Sequence, residues 1–256
     1  MVSEKEIKSI RKMASDGKSV NKIKQELKIP KSTVYYHFRK EVGQKQKENQ
    51  PEIPECEEFK GELCGIFAGD GNFYHEKANH KYRITITLNI NDNYWEEVQE
   101  LLTEKLNKEP LTLKQKEFNR LRLRYESKVI YKFFSKHLDW DKKDKTASIH
   151  LKQNEISKEF KKGFLRGLID TDGHLDLNQK RLIFNTISKP LAETTENLLS
   201  DFNLEHNTYR FIDKRENCRD MYRTYITGDE VEEFLTKIKP RHPKKQLKKL
   251  FDGKVP

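Results

Sequence analysis

Two aspartates, Asp70 and Asp172, are the residues of this sequence best placed to do chemistry. Each closes an apolar, small-residue run ending in Asp-Gly. Leu63 to Phe73 reads LCGIFAGDGNF, and Leu165 to Leu175, starting 102 residues later, reads LRGLIDTDGHL. One Asp-Gly is a common turn. Two copies in the same hydrophobic frame point to a duplicated unit that sets two carboxylates in symmetric positions. Gly65 and Gly69 stand four apart, and Gly167 and Thr171 repeat that spacing. Each run therefore reads as a helix with a flat stripe where another backbone approaches closely. Gly71 and Gly173 fall where a helix ends, a position that favours a left-handed residue. Asp70 and Asp172 are then expected side by side at the C-terminal ends of two packed helices. Like charges there repel each other and oppose the helix dipoles unless a cation lies between them. Hard carboxylate oxygens beside a phosphate suit Mg²⁺, or Mn²⁺ in its place.

The elements that must position these carboxylates follow the same order twice. After the first run, strands are expected over Asn72–Lys77 and Arg83–Ile90 and a helix over Trp95–Leu106. A hairpin over Leu111–Glu117 and Arg120–Glu126 and a helix over Val129–Leu138 follow. After the second run, strands are expected at His174–Asn178, Arg181–Ile187, Thr208–Asp213 and Met221–Thr227, with helices at Leu191–Phe202 and Asp229–Ile238. The fold class is α+β, an αββαββα unit in tandem. Strict alternation sets Arg83, Thr85 and Thr87 opposite Ile84, Ile86 and Leu88, and Arg120, Arg122 and Arg124 opposite Leu121, Leu123 and Tyr125. Three arginines in one strand with no acid between them suit DNA better than a merely solvated face, where like charges side by side repel. Tyr209, Arg215, Arg223 and Tyr225 are the weaker equivalents in the second copy.

Composition points to the same partner. The chain of 256 residues carries a net charge of +10, and 36% of it is charged. Its 26 aromatic residues argue against disorder. No apolar run is long enough to span a membrane and no signal peptide opens the chain, so a cytoplasmic, monomeric protein with a polyanionic partner, double-stranded DNA, is expected. Cys56, Cys64 and Cys218 show no metal-ligand spacing, and Cys64 reads as a small buried residue. Residues 1–50 hold 13 Lys/Arg against 6 Asp/Glu, a net of +7. Residues 51–58, PEIPECEE, then switch to four acids and two prolines, the mark of a linker.

That basic N-terminal stretch reads as three short helices, with Ser19 capping the second and a break at Lys28-Ile29-Pro30. It resembles a helix-turn-helix module of the resolvase and regulator type. Val34 and Phe38 are expected in its core, with Lys31, Ser32, Thr33, Tyr35, Tyr36 and Arg39 on the DNA side. A small bundle for protein contacts is the plainer alternative. The resulting domains are 1–45, a linker over 46–58 that begins in the flexible tail Gly43–Gln50, and two repeats at 59–153 and 154–256.

The paired runs resemble the signature motifs of the LAGLIDADG homing endonucleases in their single-chain, two-repeat form. The resemblance implies a pseudo-two-fold saddle that cuts both strands of a long, non-palindromic site, each sheet lying along one half. It implies that Asp70 and Asp172 are the metal ligands, and that each repeat adds a lysine near its end. Lys145 and Lys245, 75 and 73 residues after their aspartates, are the assignments. Lys142, Lys143 and Lys244 compete, and in the first repeat the choice stays open. Polar groups near Asn89, and at Asn185 or Thr186, would order the attacking water. Intron homing is the implied biology. Regulators that join helix-turn-helix modules to the same scaffold without cleaving, and RNA-binding splicing cofactors, are the alternatives.

Overall fold

A computed structural model describes residues 2–42, 50–76, 81–152, 156–215 and 219–247. Cys218, Lys77 and the expected tail over 43–49 lie outside the described residues. The chain divides into two compact units, Met1–Gln50 and Pro51–Pro256.

The first unit is three helices, α1 (Glu4–Ser15), α2 (Val20–Leu27) and α3 (Lys31–Val42). Ser3 and Glu6 form a reciprocal capping box at the start of α1, and the Ser19 hydroxyl accepts from the Lys22 amide at the start of α2. A three-residue turn with Lys28 in the left-handed region separates α2 from α3. Ile10, Ala14, Ile23, Ile29 and Val34 form its small core, with Phe38 packed against them.

The second unit opens with Pro51 to Cys56, inside the stretch expected as linker. Pro51 is buried, the Glu52 amide donates to the Leu106 carbonyl (3.0 Å), and Ile53 packs on the core. The order then runs α4 (Glu57–Asp70), β1 (Gly71–Glu76), β2 (Lys81–Asn89), α5 (Tyr94–Leu106), β3 (Leu111–Gln115), β4 (Arg120–Glu126) and α6 (Lys128–His137). A connection follows that periodicity did not reveal: β5 (Leu138–Asp139), α7 (Lys145–Ser148) and β6 (His150–Leu151). These elements are two to four residues long, too short to carry a repeating pattern. The second copy comprises α8 (Lys158–Asp172), β7 (Gly173–Asp176), β8 (Arg181–Thr186), α9 (Lys189–Asp201), β9 (Asn207–Phe211), β10 (Met221–Thr227) and α10 (Asp229–Ile238).

Duplication is visible in the topology. One four-stranded antiparallel sheet has the order β1-β2-β4-β3, and the other repeats it as β7-β8-β10-β9. Gly71 pairs with Ile86 in the first, and Gly173 with Phe184 in the second. Ile84, Ile86, Leu88, Leu121, Leu123 and Tyr125 are all buried, so the first sheet puts its apolar face on the core and its arginine face outward. A single hydrophobic cluster runs through both repeats. Both α4 and α8 are buried nearly all round, as helices lying between two half-cores must be.

The helix ends differ from expectation. Gly71 (φ −83°) and Gly173 (φ −79°) are extended, not left-handed. The chain turns straight from helix into strand there, and a Cβ on Gly71 would overlap the Phe67 carbonyl and ring. Glycine is needed at that corner for space.

Candidate active site

The two motif helices meet backbone to backbone. A Cβ built on Gly65 would overlap the Phe164 carbonyl oxygen and lie 2.8 Å from the Leu168 nitrogen, and one on Gly167 would lie 2.7 Å from the Ile66 nitrogen. Gly61 and Gly163 extend the contact one turn earlier, outside the motifs the sequence made conspicuous. Further along, Gly69 faces the Thr171 side chain and an Asp172 oxygen. This close approach brings the last residues of the helices, Asp70 and Asp172, within electrostatic reach of each other.

Their electrostatics show the strain of that placement. Burial and then the charge of Asp172 push the Asp70 carboxyl up to about 7, against the pull of Lys145 and Lys245. Burial likewise raises Asp172, with the same two lysines opposing. Among the described residues neither carboxylate accepts a hydrogen bond from a protein donor, and no three or more His, Cys, Asp or Glu side chains are grouped so that they could hold a metal ion by themselves. Two repelling carboxylates left without donors fit a divalent cation. With only two protein carboxylates, the other ligands would be phosphate oxygens and water, the mixture Mg²⁺ prefers.

Each lysine crowns the helix of its own repeat. Lys145 Nζ donates to the Ala68 carbonyl (2.9 Å) and lies over the Phe67 ring (5.0 Å). Lys245 Nζ donates to the Ile169 and Asp170 carbonyls (both 2.8 Å). Ala68 and Asp170 are matching positions of the two motifs, so the ammonium groups are related by the duplication. Burial lowers both to about 8, against the raising effect of the neighbouring aspartates. The competitor Lys244 instead pairs with Asp92 at the surface.

The lysine segments also cross onto the opposite repeat. The Ser188 hydroxyl at the start of α9 donates to the Ile149 carbonyl (2.8 Å), just after α7. His242 stacks on Tyr94 at the start of α5, with ring centroids 4.9 Å apart. A cleft of about 290 Å³ results, which gathers Lys145, Asp172, Asn185 and Thr186.

What fixes Lys245 was not legible from the motifs. Asp170, fully buried, accepts from the backbone amides of Arg241 (2.9 Å) and His242 (3.0 Å). Buried Glu62 on α4 accepts from the Arg241 and Arg166 guanidinium groups, and Arg166 also reaches Glu58 and the Ile238 carbonyl. Burial would raise the Glu58 carboxyl, but Arg166 and Lys162 more than offset this and hold it low. The network clamps the end of α10 and the residues leading to Lys245 onto both motif helices. Its first-repeat counterpart is missing, because Ala68 stands where Asp170 does. Replacing Asp170 with alanine would strand one buried and one half-buried amide and is expected to cost about 2–4 kcal/mol, read as a fall in Tm. Asp170→Asn should recover part of it.

The register revises one expected pair. Counting from Gly71–Ile86 and Gly173–Phe184, the partner of Asn185 in the first repeat is Thr87, not Asn89. Asn89 stands two residues further on, exposed, its side chain accepting from the Asn91 amide (3.0 Å). On the sheet faces, Thr85 pairs with Arg124, Thr87 with Arg122 and Asn89 with Arg120, while Arg83 is ion-paired with Glu76 and Glu126. Arg223 faces Asn185 across β8 and β10. Arg215 lies beyond β9, off the sheet, exposed and paired with Asp213. In the first unit Lys31, Ser32, Tyr35, Tyr36 and Arg39 are exposed on α3 and Thr33 is half-buried, with the Arg39 guanidinium over Tyr35 (4.9 Å).

Residues 159–239 match the family model of the LAGLIDADG-like domain. They form a LAGLIDADG-like domain. The match spans the second repeat, and no curated protein sequence matches the chain. Mesophilic variants of the homing endonuclease I-DmoI share the fold at 22% identity and a TM-score of 0.54, covering 72% of this chain and 97% of theirs. I-DmoI in complex with DNA and Mn gives the same values. Full-length DUF199/WhiA from Thermatoga maritima matches at 16% identity and a TM-score of 0.50, over 81% of this chain and 64% of that one. The LAGLIDADG-like domain thus contains Asp170, Asp172, Asn185, Thr186 and Arg223. The first repeat, outside the family match, copies its element order, strand order and motif helix. No helix among the described residues is long and apolar enough to cross a membrane.

Proposed function

We propose that this chain is a site-specific, homing-type double-strand DNA endonuclease, monomeric and cytoplasmic. The observation that carries the reading is the pair of half-buried, donor-free carboxylates at the ends of α4 and α8, both within electrostatic reach of Lys145 and Lys245. Asp70 and Asp172 would hold divalent metal, Mg²⁺ or Mn²⁺. Such a cation supplies Lewis-acid stabilisation of the phosphorane and of the leaving 3′ oxygen. Lys145 and Lys245 stabilise the negative charge that develops on the phosphate. Asn185 and Thr186 in one half, and Thr87 in the other, orient water for in-line attack. The outward sheet faces grip the duplex, and the first unit, a helix-turn-helix module, adds contacts at one flank.

The titrating groups set a pH window. Metal binding requires Asp70 ionised, so at limiting metal kcat/KM is expected to fall as the pH drops below about 7, and loss of the lysine charges should lower it above about 8. Lys145→Arg and Lys245→Arg together, whose charges persist, should move the alkaline limb upward, whereas either alone should leave the other lysine to set it.

Cleavage of a randomised duplex library, with Mg²⁺ and with EDTA, tests the function. Metal-dependent double-strand cuts at one long motif are expected. Tight binding to a defined duplex without cuts would establish a DNA-binding regulator instead.

A further inference from the structure

The duplication lets the two outward sheet faces be compared position by position, and they carry different chemistry. Registering both sheets on their first glycines makes Arg122 equivalent to Arg223, Arg124 to Tyr225 and Arg120 to Met221. On the outer strands, Leu113 corresponds to Tyr209 and Gln115 to Phe211.

The guanidinium groups also differ in what holds them. Among the described residues Arg120, Arg122 and Arg124 make no hydrogen bond or salt bridge to the protein, and Arg124 Nε is buried without a partner. On the second sheet Arg223 is engaged. Its Nε donates to Asn185 Oδ1 (2.6 Å), a second nitrogen donates to the Tyr225 hydroxyl (3.2 Å), and the group lies 4.8 Å from the Phe211 ring centroid. Arg181 is paired with Asp176, as its counterpart Arg83 is with Glu76 and Glu126, so the contrast lies in Arg120, Arg122 and Arg124. Around them Tyr209 (55% exposed) and Phe211 (42%) stand open to solvent, and with Tyr225 they line a groove of about 500 Å³.

The geometry points to an unequal target. The duplex half under the first sheet is read through guanines, and the half under the second sheet through thymines. A free guanidinium forms its bidentate hydrogen bonds with O6 and N7 of guanine in the major groove, whereas apolar and aromatic surface meets the thymine methyl. The basic chain suits a polyanionic duplex, and the inference rests on the DNA-binding reading above without requiring cleavage.

The test starts from duplexes selected from a randomised library by binding in EDTA, so that no cut is needed. Base analogues in the best duplex then probe each half with the wild-type protein. Replacing guanine by 7-deazaguanine is expected to weaken binding about ten-fold or more per position in one half only. Replacing thymine by uracil, which removes the methyl alone, should weaken it about three- to five-fold per position in the other half only. Arg122→Gln should relax base preference in the first half, and Tyr225→Ala in the second. A defined site with guanine and thymine sensitivity mixed between halves would overturn the partition and leave the function standing. So would uniform weakening by Arg122→Gln with a shallower salt dependence, which would make that arginine a phosphate contact. Failure to select any defined site would overturn both.

Discussion

Asp172→Asn is expected to lower double-strand cleavage about a thousand-fold or more while leaving site-specific binding unchanged. The substitution keeps size and shape at the end of α8 and removes one negative charge. Lewis-acid stabilisation by a metal is worth several kcal/mol, and each 1.36 kcal/mol is a factor of ten in rate. The residues proposed to face DNA lie on the sheets and on α3, so affinity should survive. A second effect runs the other way. Asp70 and Asp172 are both half-buried and repel each other, and the charge of Asp172 helps push the Asp70 carboxyl up. Without metal, Asp172→Asn should therefore raise Tm at neutral pH and move the Asp70 titration to lower pH.

Gain in Tm together with loss of cleavage separates a functional carboxylate from a structural one. A helix cap or a salt-bridge partner would lose both on neutralisation. Asp170, two residues earlier, makes the comparison internal to the molecule. It accepts two backbone amides, so its removal should lower Tm. Opposite shifts in Tm from two aspartates of one motif can be read in a single melting experiment. Equal destabilisation by Asp172→Asn would remove the case for a metal site.

The same contrast explains what the sequence could and could not reveal. Asp70 and Asp172 were legible because a repeated motif fixes helix, helix end and symmetric position together. The arginine strand was legible because period-2 alternation with buried Leu121, Leu123 and Tyr125 leaves Arg120, Arg122 and Arg124 one face to occupy. Asp170 and Glu62 were not, since a buried acid inside a helix gives no periodic signal until its partners, Arg241 and Arg166, are brought near in space. Thr87 was legible from the alternation as a sheet-face residue, but its place opposite Asn185 in the duplication was not. Its equivalence to Asn185 depends on strand register, which the pairing of Gly71 with Ile86 fixes and residue type does not. The extended corners at Gly71 and Gly173 show that a glycine after a helix can answer a need for space and not for a left-handed turn.

The crossing of α4 and α8 carries the second large expected effect. Gly65→Ala should destabilise the second unit by about 3 kcal/mol or more, and Gly65→Val should prevent its folding. Overpacking typically costs about 1–3 kcal/mol where side chains can move aside. Here the new Cβ meets the Phe164 carbonyl and the Leu168 nitrogen, both main-chain atoms of a buried helix. Only separation of the helices relieves it, and that opens the shared core and draws Asp70 away from Asp172. Gly69 supplies the control, because its neighbours are the Thr171 side chain and an Asp172 oxygen. Gly69→Ala alone should destabilise, and adding Thr171→Gly should recover much of the loss despite the helix cost of a new glycine, about 1 kcal/mol. No comparable rescue exists for Gly65, since no side-chain deletion removes a backbone carbonyl. If Gly65→Ala melted like the wild type, the helices would not be crossing at main-chain contact. The placement of both carboxylates would then need a different cause.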